Sequence, residues 1–161
     1  MLQLDDGRTL IESNAILFYL ADGTPFLPDD PYERADVVRW LIYEQTDVMY
    51  LIGGLRFRLQ TGRWRPDDEP AVARRDGAHE VLRVLDAHLA DTPYLVGGRY
   101  TIADIAVYAY AHLAEEAGVP TAGHPAFRAW VARVESTPAF IDDLQPYPPN
   151  ASRLVGRSTY G

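Results

Sequence analysis

The chain has 161 residues, of which 47% are hydrophobic and 24% charged, a globular composition, and its formal net charge is −8. That excess of carboxylates repels polyanions, so neither nucleic acid nor an anionic membrane is expected as a main partner. The absence of cysteine excludes disulfides, thiolate metal sites and a thiol nucleophile within these residues.

The N-terminal residues lack a basic stretch followed by an apolar run, so they do not read as a signal peptide. No segment has the ~20 uncharged apolar residues that a membrane span needs, and a cytoplasmic protein is expected. Leu2 and Leu4 alternate with Gln3 and Asp5, Asp6-Gly7 is a turn dipeptide, and Thr9-Leu10-Ile11 resumes an extended run, which together predict a β-hairpin. A helix should follow directly, capped by Ser13 and carrying the apolar stretch from Ala15 to Leu20, with its end near Gly23. Gly23 to Asp29 contains two prolines and reads as a linker, pinned in a groove by Phe26 and Leu27.

Asp30 as N-cap, Pro31 in the first turn and Glu33 three residues past the cap mark the start of a long helix, predicted to reach Leu59 with a bend near Gly53-Gly54. A second long helix is expected from Ala71 to Ala90, with Val72, Val81, Leu82, Leu85 and Leu89 on its apolar face, and the two form an antiparallel pair at the core of a bundle. A third helix should run from Thr101 to about Ala114. Phe127, Trp130, Val131 and Val134 give the apolar face of a fourth, and Pro138-Ala139-Phe140 is expected to open a last short helical piece. From Pro146 onward Pro, Asn, Ser, Arg and Gly predict an irregular tail. The resulting organisation is a β-β-α unit over 1–22, a linker over 23–30, a helical domain over 31–145 and a tail over 146–161.

The most informative local motif is Thr101-Ile102-Ala103-Asp104. The Thr101 hydroxyl can accept from the N–H of Asp104 while the Asp104 carboxylate accepts from the N–H of Thr101, a capping box with Asp in place of Glu. Tyr100 and Ile105 are placed to form a hydrophobic staple across it. The helix beyond is apolar on more than one face, so this cap is expected to be buried and structural; a catalytic acid at Asp104 is the rival reading.

Two stretches resemble a known family. Leu4-Asp5-Asp6-Gly7 through Leu10-Ile11-Glu12-Ser13-Asn14-Ala15-Ile16-Leu17-Phe18-Tyr19-Leu20 is similar to the third and fourth strands and third helix of the thioredoxin-like domain in the glutathione transferase superfamily. Gly97-Gly98 and Thr101 to Asp104 resemble the start of the sixth helix, in the all-helical domain of that family. The fold this implies is mostly α: a glutathione-transferase-like C-terminal helical bundle preceded by a partial thioredoxin-like hairpin and helix. The resemblance implies glutathione as substrate, a small electrophile as co-substrate, and a homodimer. Residue by residue, only Glu12 and Ser13 match glutathione contacts, Glu12 facing the γ-glutamyl ammonium and Ser13 facing its carboxylate. A helix N-terminus favours an anion on independent physical grounds, although Ser13 as a plain cap beside a solvated Glu12 is the alternative.

The catalytic residue of the family belongs to a segment ahead of the third strand, so none is assigned in this chain, which is expected to be inactive as it stands. The same comparison predicts an open sheet edge at Leu2–Leu4 and fraying or abnormal dimerisation over residues 1–22. Tyr50, Phe57 and Trp64 are candidates for an electrophile pocket, with core or surface packing as the alternative.

Arg56, Arg58, Arg63 and Arg65 interleave with Phe57 and Trp64, a pattern open to three readings: a solvated helix end, an anionic small ligand, or single-stranded nucleic acid. The four histidines have no metal-ligand spacing, and the adjacent Glu115 and Glu116 diverge on a helix and form no acid/base pair. Two functions remain: a glutathione transferase-like protein, and a non-catalytic helical scaffold retaining the fold.

Overall fold

Leu2 faces Leu10 and Gln3 faces Thr9 in a short antiparallel hairpin of β1 (Leu2–Gln3) and β2 (Thr9–Leu10). Gly7, at φ 87°, supplies the left-handed residue that closes the turn, where Leu4 N donates to Arg8 O at 2.9 Å. The computed structural model describes residues 1–142, 144–147 and 151; among these the architecture is mostly helical, with the hairpin as its one sheet.

Helix α1 (Ser13–Ala21) begins at Ser13 rather than after it. Glu12 takes the cap position, with φ 70° and ψ 122°, and no side chain caps the helix. The expectation that Ser13 caps is therefore corrected: its hydroxyl is one position too far into the helix to reach the amides of the first turn.

Helix α2 (Pro31–Tyr43) starts as its sequence prescribes, the Asp30 carboxylate accepting from Glu33 N at 2.9 Å. The helical run continues through a π-helical segment (Glu44–Gly53) into α3 (Gly54–Gln60). Neither glycine breaks it, since both have right-handed helical dihedrals. A β-carbon on Gly53 would stand 2.4 Å from Tyr110 Cδ1 in a ring that moves only as a unit, so close approach and not bending favours glycine there, while one on Gly54 would stand 2.6 Å from Arg74 Nη1, the end of a flexible side chain. The departure from α geometry lies in the ten residues Glu44–Gly53, of which the first glycine is the last.

Helix α4 (Glu69–Leu89) starts two residues earlier than predicted, because Asp68 takes the cap position and Pro70 is tolerated in a first turn that needs no N–H. Its buried stripe is Ala71, Ala78, Val81, Leu82, Leu85 and Leu89; Val72 falls off the stripe and is exposed. Helix α5 (Ile102–Ala111) ends short of Ala114 and gives way to a single 3₁₀ turn at Glu115–Ala117, closed by left-handed Gly118. Helix α6 (Pro125–Glu135) buries Phe127, Trp130 and Val134. Among the described residues the predicted short helix does not open at Pro138: Ala139 stands at φ 62°, which no right-handed helix accepts, and Phe140 N closes a turn on Thr137 O at 3.1 Å. Apart from Pro146, Tyr147 and Ala151, the tail predicted over 146–161 lies outside the described residues.

The π segment is central, packed against α2, α4 and α5, while α6 lies against α4 and α1 rests on α5. Trp40, Ile52, Leu55, Leu85, Phe127 and Trp130 fill the space between them, each at most 1% exposed. The linker is tied down by Leu27, which is buried, and by Ile102 N donating to Phe26 O at 3.0 Å. Among the described residues no helix is long and apolar enough to cross a membrane.

Candidate functional site

Glu12 and Ser13 stand at the junction of hairpin and helix, both exposed. The first intrahelical bond is Ile16 N to Glu12 O at 3.0 Å, so the amides of Ser13, Asn14 and Ala15 have no helical acceptor. Three N–H groups and the positive end of the helix dipole thus lie beside one hydroxyl, and the adjoining Glu12 carboxylate is held on a strained backbone. The pair offers donors to a carboxylate and an acceptor to an ammonium within one turn of chain.

Asn14 fixes this junction to the helical domain. Its Nδ2 donates to Leu41 O at 3.0 Å and to Glu44 Oε2 at 2.7 Å, and Gln45 Nε2 donates to the same oxygen at 2.8 Å. Glu44 is 2% exposed and its Oε1 has no partner; burial pushes its pKa up, against the two amide donors. Sequence reasoning missed both residues. The signal was available for Glu44, which falls on the apolar stripe Val37, Trp40, Leu41, Val48 of its helix.

Tyr50, Phe57 and Trp64 line two adjoining hollows that share Tyr50 and Arg74. Tyr50 and Phe57 face the first, of about 360 Å³, with Met49, Arg58 and Tyr110; Tyr50 and Trp64 face the second, of about 390 Å³. Arg74, which sequence reasoning did not single out, divides them, its guanidinium carbon 3.9 Å from the Tyr50 ring centre and 5.0 Å from that of Trp64.

The four arginines of the interleaved run separate. Arg56 is not part of a solvated helix end: it is 6% exposed and its Nε donates to Glu116 Oε2 at 2.7 Å. Arg63 lies over Phe57 and donates to Ala151 O at 2.7 Å; Arg65 is exposed; Arg58 joins Arg74. Glu115 instead accepts from the Thr121 hydroxyl at 2.6 Å. Among the described residues no group of three His, Asp or Glu side chains is placed to hold a metal ion.

At Thr101 the capping box closes as expected, with Asp104 Oδ2 accepting from Thr101 N at 2.9 Å and the Thr101 hydroxyl facing the amide of Asp104; the hydroxyl also accepts from Ala103 N at 3.2 Å. Asp104 does more than the motif requires: Oδ1 also accepts from Leu95 N at 3.0 Å and from Trp130 Nε1 at 2.9 Å. It is fully buried, and burial raises its pKa. Every donor is structural, which leaves no room for an acid acting on substrate. Beyond it, Tyr94, Tyr100, Ile105 and Tyr108 line a mainly apolar cleft of about 720 Å³ that reaches Phe140, another feature the sequence did not announce.

Comparison with known proteins converges on one family. The model of the glutathione S-transferase C-terminal domain matches residues 53–133. The solved glutathione S-transferase from Pseudomonas fluorescens Pf-5 is 41% identical, with a TM-score of 0.83 over 89% of this chain and 72% of that one. A sphingomonad glutathione S-transferase solved in complex with glutathione is 26% identical, with a TM-score of 0.72 over 86% and 68% of the two chains. Elongation factor 1-gamma of Artemia salina is 32% identical over 126 residues, which is 70% of this chain but 27% of that protein. Curated relatives of this kind are matched over less than two thirds of their own length.

Proposed function

This chain belongs to the glutathione S-transferase superfamily, and on that premise we propose that it binds glutathione through Glu12 and Ser13, in a protein that transfers the glutathione thiolate to a small electrophile. The observation that carries the reading is the start of α1. Uncommitted amides of residues 13–15 and the Ser13 hydroxyl complement the γ-glutamyl carboxylate, and the Glu12 carboxylate beside them complements its ammonium. The likeness to a glutathione-bound sphingomonad enzyme supports it.

The hollow beside Tyr50 and Phe57, with Trp64 beyond Arg74, receives the electrophile in this reading. A group that stabilises the thiolate is not assigned among these residues. The protein acts in the cytoplasm as a homodimer; Val38 and Ile42, exposed one turn apart on α2, support a paired surface, and sedimentation equilibrium checks the state.

Isothermal titration of glutathione into the chain tests the site. Saturable binding is expected, at least tenfold weaker in Glu12→Ala and in Ser13→Ala. A folded chain that takes up no glutathione sinks the reading. That outcome favours a non-catalytic helical scaffold.

A further inference from the structure

Among the described residues six arginines are paired with a carboxylate within 4 Å, and Arg58 and Arg74 are not among them. In a chain with eight more acidic than basic residues, these two guanidinium groups lie side by side with no carboxylate partner among the described residues. They converge on one point: the position a β-carbon on Gly54 would occupy lies 2.6 Å from Arg74 Nη1 and 3.2 Å from Arg58 Nη1.

Each guanidinium is oriented by one backbone carbonyl. Arg58 Nη1 donates to Gly54 O at 2.9 Å and Arg74 Nη1 to Tyr50 O at 3.0 Å. Aromatic faces hold them further, with Trp64 under both, at 4.8 Å from Arg58 and 5.0 Å from Arg74, and Tyr50 under Arg74. A guanidinium has five N–H donors, and among the described residues one of each set is engaged, so donor capacity of both faces the hollow. Burial first, and then the neighbouring charges of Arg74 and Arg63, lower the pKa of Arg58.

We propose that this hollow is a receptor for aromatic carboxylates, the ligand's carboxylate bridging Arg58 and Arg74 while its ring system lies against Tyr50, Phe57 and Tyr110. The glycine pair lets the arginines and the Tyr110 ring close on the helix backbone, and the hollow of about 360 Å³ is at the lower end of the range for small-molecule sites. Planar two-point recognition favours a carboxylate over a point anion. The inference deepens the reading of this hollow as the electrophile site: the electrophiles admitted are aryl compounds that carry a carboxylate.

The probe is 1-naphthoate, titrated into the full chain by calorimetry and by quenching of tryptophan fluorescence, with 1-naphthamide as its neutral isostere. Saturable naphthoate binding is expected, at least tenfold tighter than naphthamide on the unaltered protein, and weaker at high salt. Arg58→Gln and Arg74→Gln should each weaken naphthoate at least tenfold and leave naphthamide within twofold. Gly54→Ala, which keeps both charges but intrudes on their meeting point, should weaken it several-fold. Naphthoate and naphthamide binding equally well, or naphthoate unaffected by both arginine changes, overturns the proposal. Glutathione uptake measured on the same samples separates the two questions, since its loss with naphthoate binding intact removes only the transferase reading.

Discussion

Trp130 Nε1 donates to Asp104 Oδ1 at 2.9 Å, so a single buried carboxylate links the start of α5 to the middle of α6. The same carboxylate holds Leu95 N, Thr101 N and the Thr101 hydroxyl. Asp104→Asn retains one acceptor but turns an NH₂ toward donors, and a buried donor left unpaired costs about 1–3 kcal/mol. A loss of about 2–4 kcal/mol is expected on this basis, read as a fall in urea midpoint. Trp130→Phe removes that bond together with the five-membered ring of a fully buried indole, for a loss of about 2–4 kcal/mol from the bond and the cavity combined. Because both changes act on one network, the double variant should lose less than the two losses combined; strict additivity would show that the indole bond is idle.

Glu44 predicts a pH dependence whose sign follows from its environment. Burial raises its folded pKa above that of the unfolded chain, so the folded state holds its proton more tightly. The stabilising contribution is complete below the ordinary glutamate range and is lost as pH rises through the raised value. Glu44→Gln is always neutral and keeps an oxygen for Asn14 and Gln45. Relative to this variant, the native chain should therefore lose stability as pH rises from 4 to 7. Urea midpoints of the two proteins across that interval check it, and parallel profiles would contradict the assignment. Asp104 is present in both proteins and does not obscure the comparison.

Much of the fold was legible because local chemistry and global packing agree. Asp30, Pro31 and Glu33 mark the start of α2, and Thr101 and Asp104 the start of α5, through bonds that need only short-range sequence. What was hidden depends on long-range neighbours. The π-helical segment is invisible to a period of 3.6, and the glycines at 53 and 54 read as a bend until Tyr110 and Arg74 are seen pressing on them. Asn14 and Glu44 meet across thirty residues, and Arg74 reaches the candidate pocket from a different helix, so neither appears in a local motif. The acidic-Ser pair stands out as a candidate ligand contact through the family resemblance and the helix N-terminus together, and the left-handed backbone of Glu12 was not legible at all.

That backbone makes a prediction of its own. A non-glycine residue at φ 70° is strained by about 1–3 kcal/mol, and glycine relieves it while losing more chain entropy on folding. Glu12→Gly should therefore stabilise the chain by up to about 1 kcal/mol and weaken glutathione at least tenfold, a trade of stability for ligand contact. Thermal midpoint and glutathione titration on the same variant test both halves. A destabilised variant would mean that the Glu12 side chain supports the fold.

Gly53 and Gly77 separate close packing from helix propensity. Alanine in place of glycine favours a helix by about 1 kcal/mol. At Gly77, inside α4, the new methyl would meet Leu51 Cδ2 at 2.9 Å, the end of a flexible chain that can change rotamer. At Gly53 it would meet three atoms of the Tyr110 ring at 2.4, 3.0 and 3.2 Å, and a ring moves only as a unit. Overpacking of this kind costs about 1–3 kcal/mol and outweighs the propensity gain, whereas at Gly77 the two effects nearly cancel. Gly53→Ala should consequently lower stability by about 1–2 kcal/mol and Gly77→Ala change it by less than about 0.5 kcal/mol, compared by urea midpoint. Because Tyr110 also lines the hollow beside Arg58, Gly53→Ala should disturb aromatic ligand binding there as well, and Gly77→Ala should not.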